Sequence, residues 1–197
     1  MLPTGPEPAA AFTPGAGGFF LLSVVMNLQS TDFELFQLPV QFAQPRALID
    51  ARWKELQREA HPDKFAAQGA AAQRLAMQWS VRINEAYQRL KDPLKRASYL
   101  CELHGARINA ENNTAMPPAF LIQQMEWREA LEDAGTLAQL EAIAEETSTA
   151  EQAQLAVIAQ ALDVAKDYPK AANDVRSLMF IQRFGTEVEA RIDQLAT

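Results

Sequence analysis

The chain has 197 residues, 48% of them apolar, and a net charge of −7. That length suffices for one ordinary domain or two small ones with buried cores, and usage rich in Ala, Leu, Gln, Glu and Arg but poor in Gly points to an all-α protein. A single cysteine, Cys101, excludes an intramolecular disulfide and a Cys-x-x-Cys zinc pair, and fits a reducing cytoplasm.

In chain order, residues 1–26 are rich in Pro, Gly and Ala and read as a disordered or over-extended N-terminal stretch, with Met26 a candidate start. Its apolar run Phe19–Val25 is too short to span a bilayer, and no Lys or Arg precedes it, so neither a signal peptide nor a membrane partner is expected. A short helix is predicted from Thr31 to Leu38, capped by Thr31 or Asp32 and stopped at Pro39. The next starts near Pro45, carries Ile49, Trp53, Leu56 and Ala60 at helical spacing, and ends before Pro62. Its other side shows Arg46, Asp50, Lys54 and Arg58. After a loop through Gly69, a helix from Ala70 to Leu90 presents Leu75, Trp79, Ile83, Ala86, Tyr87 and Leu90 as a stripe that suits the preceding one. Asp92-Pro93 opens a further short helix that closes at His104-Gly105.

Residues 105–117 have linker composition, and they divide a first module, 27–104, from a second, 118–197. In the second, three helices over 118–134, 136–166 and 169–195 are predicted to pack as a bundle, with Thr147-Ser148-Thr149 a weak stretch that could break the middle one.

Charge is distributed unevenly. Residues 46–96 carry 11 basic against 6 acidic residues, whereas residues 97–197 carry 7 basic against 16 acidic. Such a chain suits two different partners, one acidic and one basic. Nucleic acid is not expected as a partner, because the acidic half repels phosphates and the basic segment holds no nucleic-acid-binding motif.

Two stretches stand out chemically. The first is His61-Pro62-Asp63, followed by Lys64-Phe65, between two helices. Pro62 forces a sharp exit, so an imidazole and a carboxylate stand at the tip of a helical hairpin. The plain alternatives are a helix stop with an ordinary capping Asp for the tripeptide and, for the basic residues, a solvated face with pairs such as Asp50 with Lys54. The second stretch is Phe120–Asp133. At about 100° per residue, Phe120, Trp127 and Leu131 share a core stripe. Ile122 and Met125 fall on the other side with Leu121 at the margin, rimmed by Glu126, Glu129 and Asp133, and Phe180 of the last helix lies off its own stripe. Such an apolar patch with an acidic rim suits a basic protein partner. The plain alternative buries these residues within the bundle.

His61-Pro62-Asp63 in this setting, with Ala86-Tyr87-Gln88-Arg89-Leu90 leading to Asp92-Pro93-Leu94-Lys95-Arg96, resembles the signature of a J-domain. Residues 119–133 with a late aromatic resemble the client-binding helix of the HscB family, the J-domain co-chaperones of iron-sulfur cluster assembly. The resemblance spans about residues 30–195. It implies an N-terminal J-domain helical hairpin plus a C-terminal three-helix bundle, and a non-enzymatic co-chaperone of two partners. One is the DnaK-type chaperone HscA, whose ATPase it stimulates, contacted by His61, Pro62, Asp63 and Lys64 with Arg52, Lys54 and Arg58. The other is the scaffold protein IscU, contacted by Leu121, Ile122, Met125, Glu126, Glu129, Asp133 and Phe180. Within that pattern Asp133 replaces a longer acidic residue. The N-terminal extension has no counterpart in compact bacterial members, and the paired-cysteine metal element of some eukaryotic members is missing, so the bacterial type is indicated and neither metal nor cofactor is expected.

Two other classes compete. A general J-protein for unfolded clients would carry a Gly/Phe-rich linker or cysteine-rich zinc modules. An enzyme would have to use His61, Asp63 and Cys101, with neither a phosphate loop nor a metal-ligand cluster to support them.

Overall fold

The computed structural model describes residues 27–109 and 116–195. The extension over residues 1–26, Met26 included, and the Asn112-Asn113-Thr114 part of the linker lie outside them. The described residues are helices and turns without a strand, as the residue usage predicts.

Helix α1, Asp32–Phe36, is one turn long and closed by a capping box: the Thr31 hydroxyl accepts from the Glu34 amide while the Glu34 carboxylate accepts from the Thr31 amide at 2.8 Å. It stops short of Leu38 because Gln37 turns into the left-handed region, with φ of 52°. Helices α2, Arg46–Glu59, and α3, Ala70–Lys91, form an antiparallel hairpin. The cross-links fix that direction: Arg46 reaches the Lys91 carbonyl, Trp53 Nε1 donates to Asn84 Oδ1 at 2.9 Å, and Gln57 Nε2 donates to the Ser80 carbonyl at 3.2 Å. Trp53 also stacks on Tyr87 with centroids 4.7 Å apart. Helix α4, Pro93–Leu103, starts on the Asp92 cap and ends at His104 before Gly105, whose φ of +77° favours glycine.

Beyond the linker come α5, Pro118–Asp133, α6, Leu137–Ala159, and α7, Tyr168–Leu195. The suspected break at Thr147 does not occur. That residue is buried, and its hydroxyl donates to the Ile143 carbonyl at 2.7 Å, so the polar group is satisfied inside the helix. The irregularity comes later, where Gln160–Ala165 widen into a π-helical turn closed by the Lys166 amide on the Ala161 carbonyl.

Two hydrophobic cores result. The larger joins Phe33 and Phe36 of α1 and Ile49, Leu56, Trp79, Ile83 and Leu90 of the hairpin to Leu100 and Cys101 of α4, and these in turn to Leu162, Val175 and Leu178 near the base of the bundle. The smaller lies within the bundle, where Trp127, Leu140, Ile143, Ile181, Phe184 and Val188 pack, with Trp127 stacked on Phe184 at 5.4 Å. Each fully buried Leu, Ile or Phe adds about 1.5–3 kcal/mol to such a core. Helix α7 contributes to both, so the hairpin and the bundle share one continuous rod about 42 Å long at 1.5 Å per residue.

Candidate functional site

The hairpin tip is built by three local causes. Pro62 ends α2 at Ala60, since it has no amide to donate and disfavours helix in the residue before it. Residues Pro62–Gln68 then form a 3-10 turn in place of an irregular loop, with Pro62 at its first position and the Lys64 amide bonded to the His61 carbonyl at 3.1 Å. Gly69, at φ of +93°, reverses the chain into α3. Phe65 is buried and anchors the turn from beneath.

On that base His61 and Asp63 face solvent, with side chains 55% and 91% exposed. The Asp63 amide donates to His61 Nδ1 at 3.3 Å, which makes Nδ1 an acceptor and leaves Nε2 as the outward N–H. The Asp63 carboxylate is 3.6 Å from the same Nδ1 and otherwise points outward. The tip therefore offers one donor and one acceptor to solvent.

The basic residues of α2 do not all share that free surface. Lys54, Arg58 and Lys64 are exposed, but Arg52 lies on another side of the helix: Nε donates to the Phe36 carbonyl at 3.0 Å, and its guanidinium pairs with Glu55. Arg52 thus ties α2 to α1, a correction to its grouping with the others. Asp50 does not pair with Lys54 either. Its Oδ1 accepts from Arg46 Nε at 2.8 Å and from the Tyr87 hydroxyl at 2.9 Å, and the Arg46 hydrogen bond holds its carboxyl below the usual range.

On α5 the helical phase works out as predicted. Trp127 is buried and its Nε1 donates to Glu146 at 2.7 Å, while Phe120 and Leu131 pack against the smaller core. Leu121, Ile122 and Met125 stay 44%, 57% and 64% exposed, and Glu126, Glu129 and Asp133 are exposed around them. Phe180 is half-buried, edge-on to Phe120 at 5.8 Å, with the Arg128 guanidinium 6.0 Å over its ring. Arg128 is held there by Glu187 at 3.2 Å. The arrangement is an apolar ridge on α5 flanked by an aromatic from α7 within an acidic rim. Sequence reasoning did not single out Phe65 or Arg128. An apolar residue in a polar turn and a cation among acidic neighbours were the available signals.

Among the described residues no cluster of three His, Cys, Asp or Glu side chains could hold a metal ion, and no helix is long and apolar enough to cross a membrane. Cys101 is buried, and desolvation pushes its thiol up to about 11, opposite to what a nucleophile needs.

Comparison with known proteins adds to this geometry. Residues 116–189 match the family model described as the HSCB C-terminal oligomerisation domain. A protein of Burkholderia thailandensis named co-chaperone protein HscB homolog is 49% identical over 174 residues, covering 87% of this chain and 99% of the relative. A Burkholderia multivorans protein of the same name is 49% identical over 88% of this chain and all of the relative. The solved structure of chaperone HscB from Vibrio cholerae superposes with a TM-score of 0.72 at 37% identity, covering 84% of this chain and 99% of that one. The human co-chaperone HscB shares the fold, with a TM-score of 0.75 at 24% identity over 98% and 94% of the two chains. A J-domain hairpin joined to a three-helix bundle, with this identity over nearly the whole of its relatives, makes the chain a member of the HscB family of co-chaperones.

Proposed function

We propose that this co-chaperone stimulates the ATPase of a dedicated DnaK-type chaperone, HscA, in the cytoplasm, and delivers the iron-sulfur scaffold IscU to it, aiding maturation of iron-sulfur proteins. One observation carries the reading: a hairpin tip with its imidazole and carboxylate outward, and a separate exposed apolar ridge with an acidic rim, belong to helical parts joined by a shared core.

In this reading Asp63 accepts a charge-assisted hydrogen bond from a chaperone arginine, His61 Nε2 donates to chaperone backbone, and Pro62 keeps both in place. Lys54, Arg58 and Lys64 steer the approach to an acidic surface, and Arg52 contributes by holding α2 against α1. The scaffold seats on Leu121, Ile122, Met125 and Phe180 as apolar anchors, with Glu126, Glu129 and Asp133 meeting its basic residues. The chain performs no chemistry of its own. Holding both partners raises their effective concentration for each other.

Single-turnover ATP hydrolysis by the chaperone, with and without this protein and the scaffold, tests the reading. Joint stimulation above either alone is expected, and an unchanged rate with His61→Gln would remove the hairpin tip from the mechanism. For the client face, Leu121, Met125 and Phe180 are changed together to Ala, and calorimetry against the scaffold is expected to show lost binding. Full affinity with an intact fold would reject the ridge.

A further inference from the structure

The two faces are useful together only if their relative placement is held, and the junction between hairpin and bundle contains polar contacts that the shared apolar core does not require. In each of two cases a bundle side chain grips backbone outside the bundle, once in the linker and once in the connector before α2. Arg176 of α7 is buried and donates to the Ile108 carbonyl, just past α4, at 2.8 Å. Asp163, in the π-helical turn after α6, accepts from the amides of Phe42 and Ala43 at 2.7 and 2.8 Å, one on each carboxylate oxygen. The carbonyl of the same Phe42 accepts from Arg96 of α4 at 2.8 Å, and that guanidinium lies 5.1 Å over the Phe42 ring. The connector is thus pinned from three directions: ring, carbonyl and amide.

The position of that connector matters. Phe42 and Ala43 lie three and two residues before Pro45, the cap residue of α2, and α2 has no side-chain cap of its own. Whatever holds the connector sets where α2 begins, and α2 is the helix that leads to His61. The π turn is what presents Asp163. A π turn widens the helix and turns the following residues away from the phase of the regular helix before it. Here Ala161 and Leu162 enter the larger core while Asp163 meets the connector, and Val164 beside it is left exposed. A carboxylate accepting two backbone amides is a strong, directional contact.

We propose that Asp163 is a positioning residue: through the Phe42-Ala43 amides it sets the angle between α2, with its His61 tip, and the client ridge of α5. The proposal rests on the two-partner reading above, since the angle matters only if both partners are held at once. It predicts that losing Asp163 spares each binary interaction and weakens their cooperation.

The test uses the full chain with Cys101→Ala, and nitroxide labels at Gln78→Cys on α3 and Glu145→Cys on α6, both exposed and away from either binding face. Pulsed dipolar spectroscopy is expected to give a narrow distance distribution that broadens or shifts with Asp163→Ala. Asp163→Asn keeps one acceptor and turns an NH2 toward the second amide, so an intermediate change is expected. Without labels, Asp163→Ala should stimulate the chaperone alone, and bind the scaffold, as wild type does, while joint stimulation falls by about tenfold as effective concentration is lost. An unchanged distance distribution in both variants would overturn the proposal, and so would a broadened one with full joint stimulation. If wild type fails to stimulate the chaperone or bind the scaffold, the two-partner reading fails instead, and the distance measurement still judges the clamp.

Discussion

Phe65 offers a direct way to separate the shape of the tip from its chemistry. It is buried within the 3-10 turn that carries the tip, so its loss loosens that turn directly. A buried Phe removes about 150 Å² or more from water, which at about 25 cal/mol per Å² is about 4 kcal/mol. Phe-to-Ala truncations in cores cost about 3–5 kcal/mol, in the same range. Spent locally, about 4 kcal/mol raises the open population of the turn by nearly three orders of magnitude. In Phe65→Ala, hydrogen exchange at the Lys64 amide, now bonded to the His61 carbonyl, should accelerate by that order. Amides of α5 and the affinity for the scaffold should stay as in wild type. Chaperone ATPase stimulation should fall at least about tenfold although His61 and Asp63 are untouched, because ordering the tip then opposes docking. Unaccelerated exchange would show that Phe65 does not hold the turn, and full stimulation with accelerated exchange would refute the rigid-tip account.

Asp32 is fully buried at the start of α1, 2.7 Å from Arg82 and 3.0 Å from Arg89, so Asp32→Asn leaves two cations facing a neutral group. Because both guanidiniums reach solvent, a loss of about 3 kcal/mol is expected, the low end for a broken buried pair, read as a lower urea midpoint with unchanged slope. The Asp50 carboxyl is depressed chiefly by the Arg46 hydrogen bond, so its contribution is present above the unfolded carboxyl range and lost as pH falls through the folded value. An NMR titration of Arg46→Gln should move the Asp50 transition upward, and an unmoved transition would reject that cause. Burial raises the Cys101 thiol to about 11, so its contribution is intact below the unfolded thiol pKa and is lost as pH climbs through the folded value. At pH 8 native protein should therefore resist a thiol-specific alkylating reagent, with rapid labelling only on denaturation; rapid labelling of folded protein would count against the burial.

The helical hairpin was legible because its signals are local. Pro62 has to end α2, Thr31 and Asp32 both offer a cap for α1, and the spacing of Ile49, Leu56, Trp79 and Ile83 pairs two apolar stripes. The phase of α5 was legible for the same reason, since Trp127 and Met125 point apart by simple helical rotation. What escaped depends on tertiary placement. Arg52 looked like one more surface cation, and only the carbonyl left over at the end of α1 explains why it turns inward. Thr147 looked like a weak point, yet a buried threonine can satisfy its hydroxyl on its own helix. The π turn at Gln160–Ala165 has no sequence signal, because the partners that stabilise it, Phe42 and Ala43, are some 120 residues away.

The placement of Phe180 bears on how the two faces communicate. It stands two residues from Leu178, which belongs to the core shared with the hairpin, and one from Ile181, which belongs to the bundle core. No loop separates Phe180 from the packing that supports α4 and, through it, the hairpin. A helix resists bending over two residues far more than a connecting segment would, so force applied at the ridge reaches the larger core with little loss. The acidic rim adds a second consequence. With net charge concentrated as negative on residues 97–197 and positive on residues 46–96, the field would steer an acidic partner and a basic one to different parts of the molecule before any contact forms. Raising the ionic strength should therefore slow association with both partners while leaving their dissociation rates nearly constant.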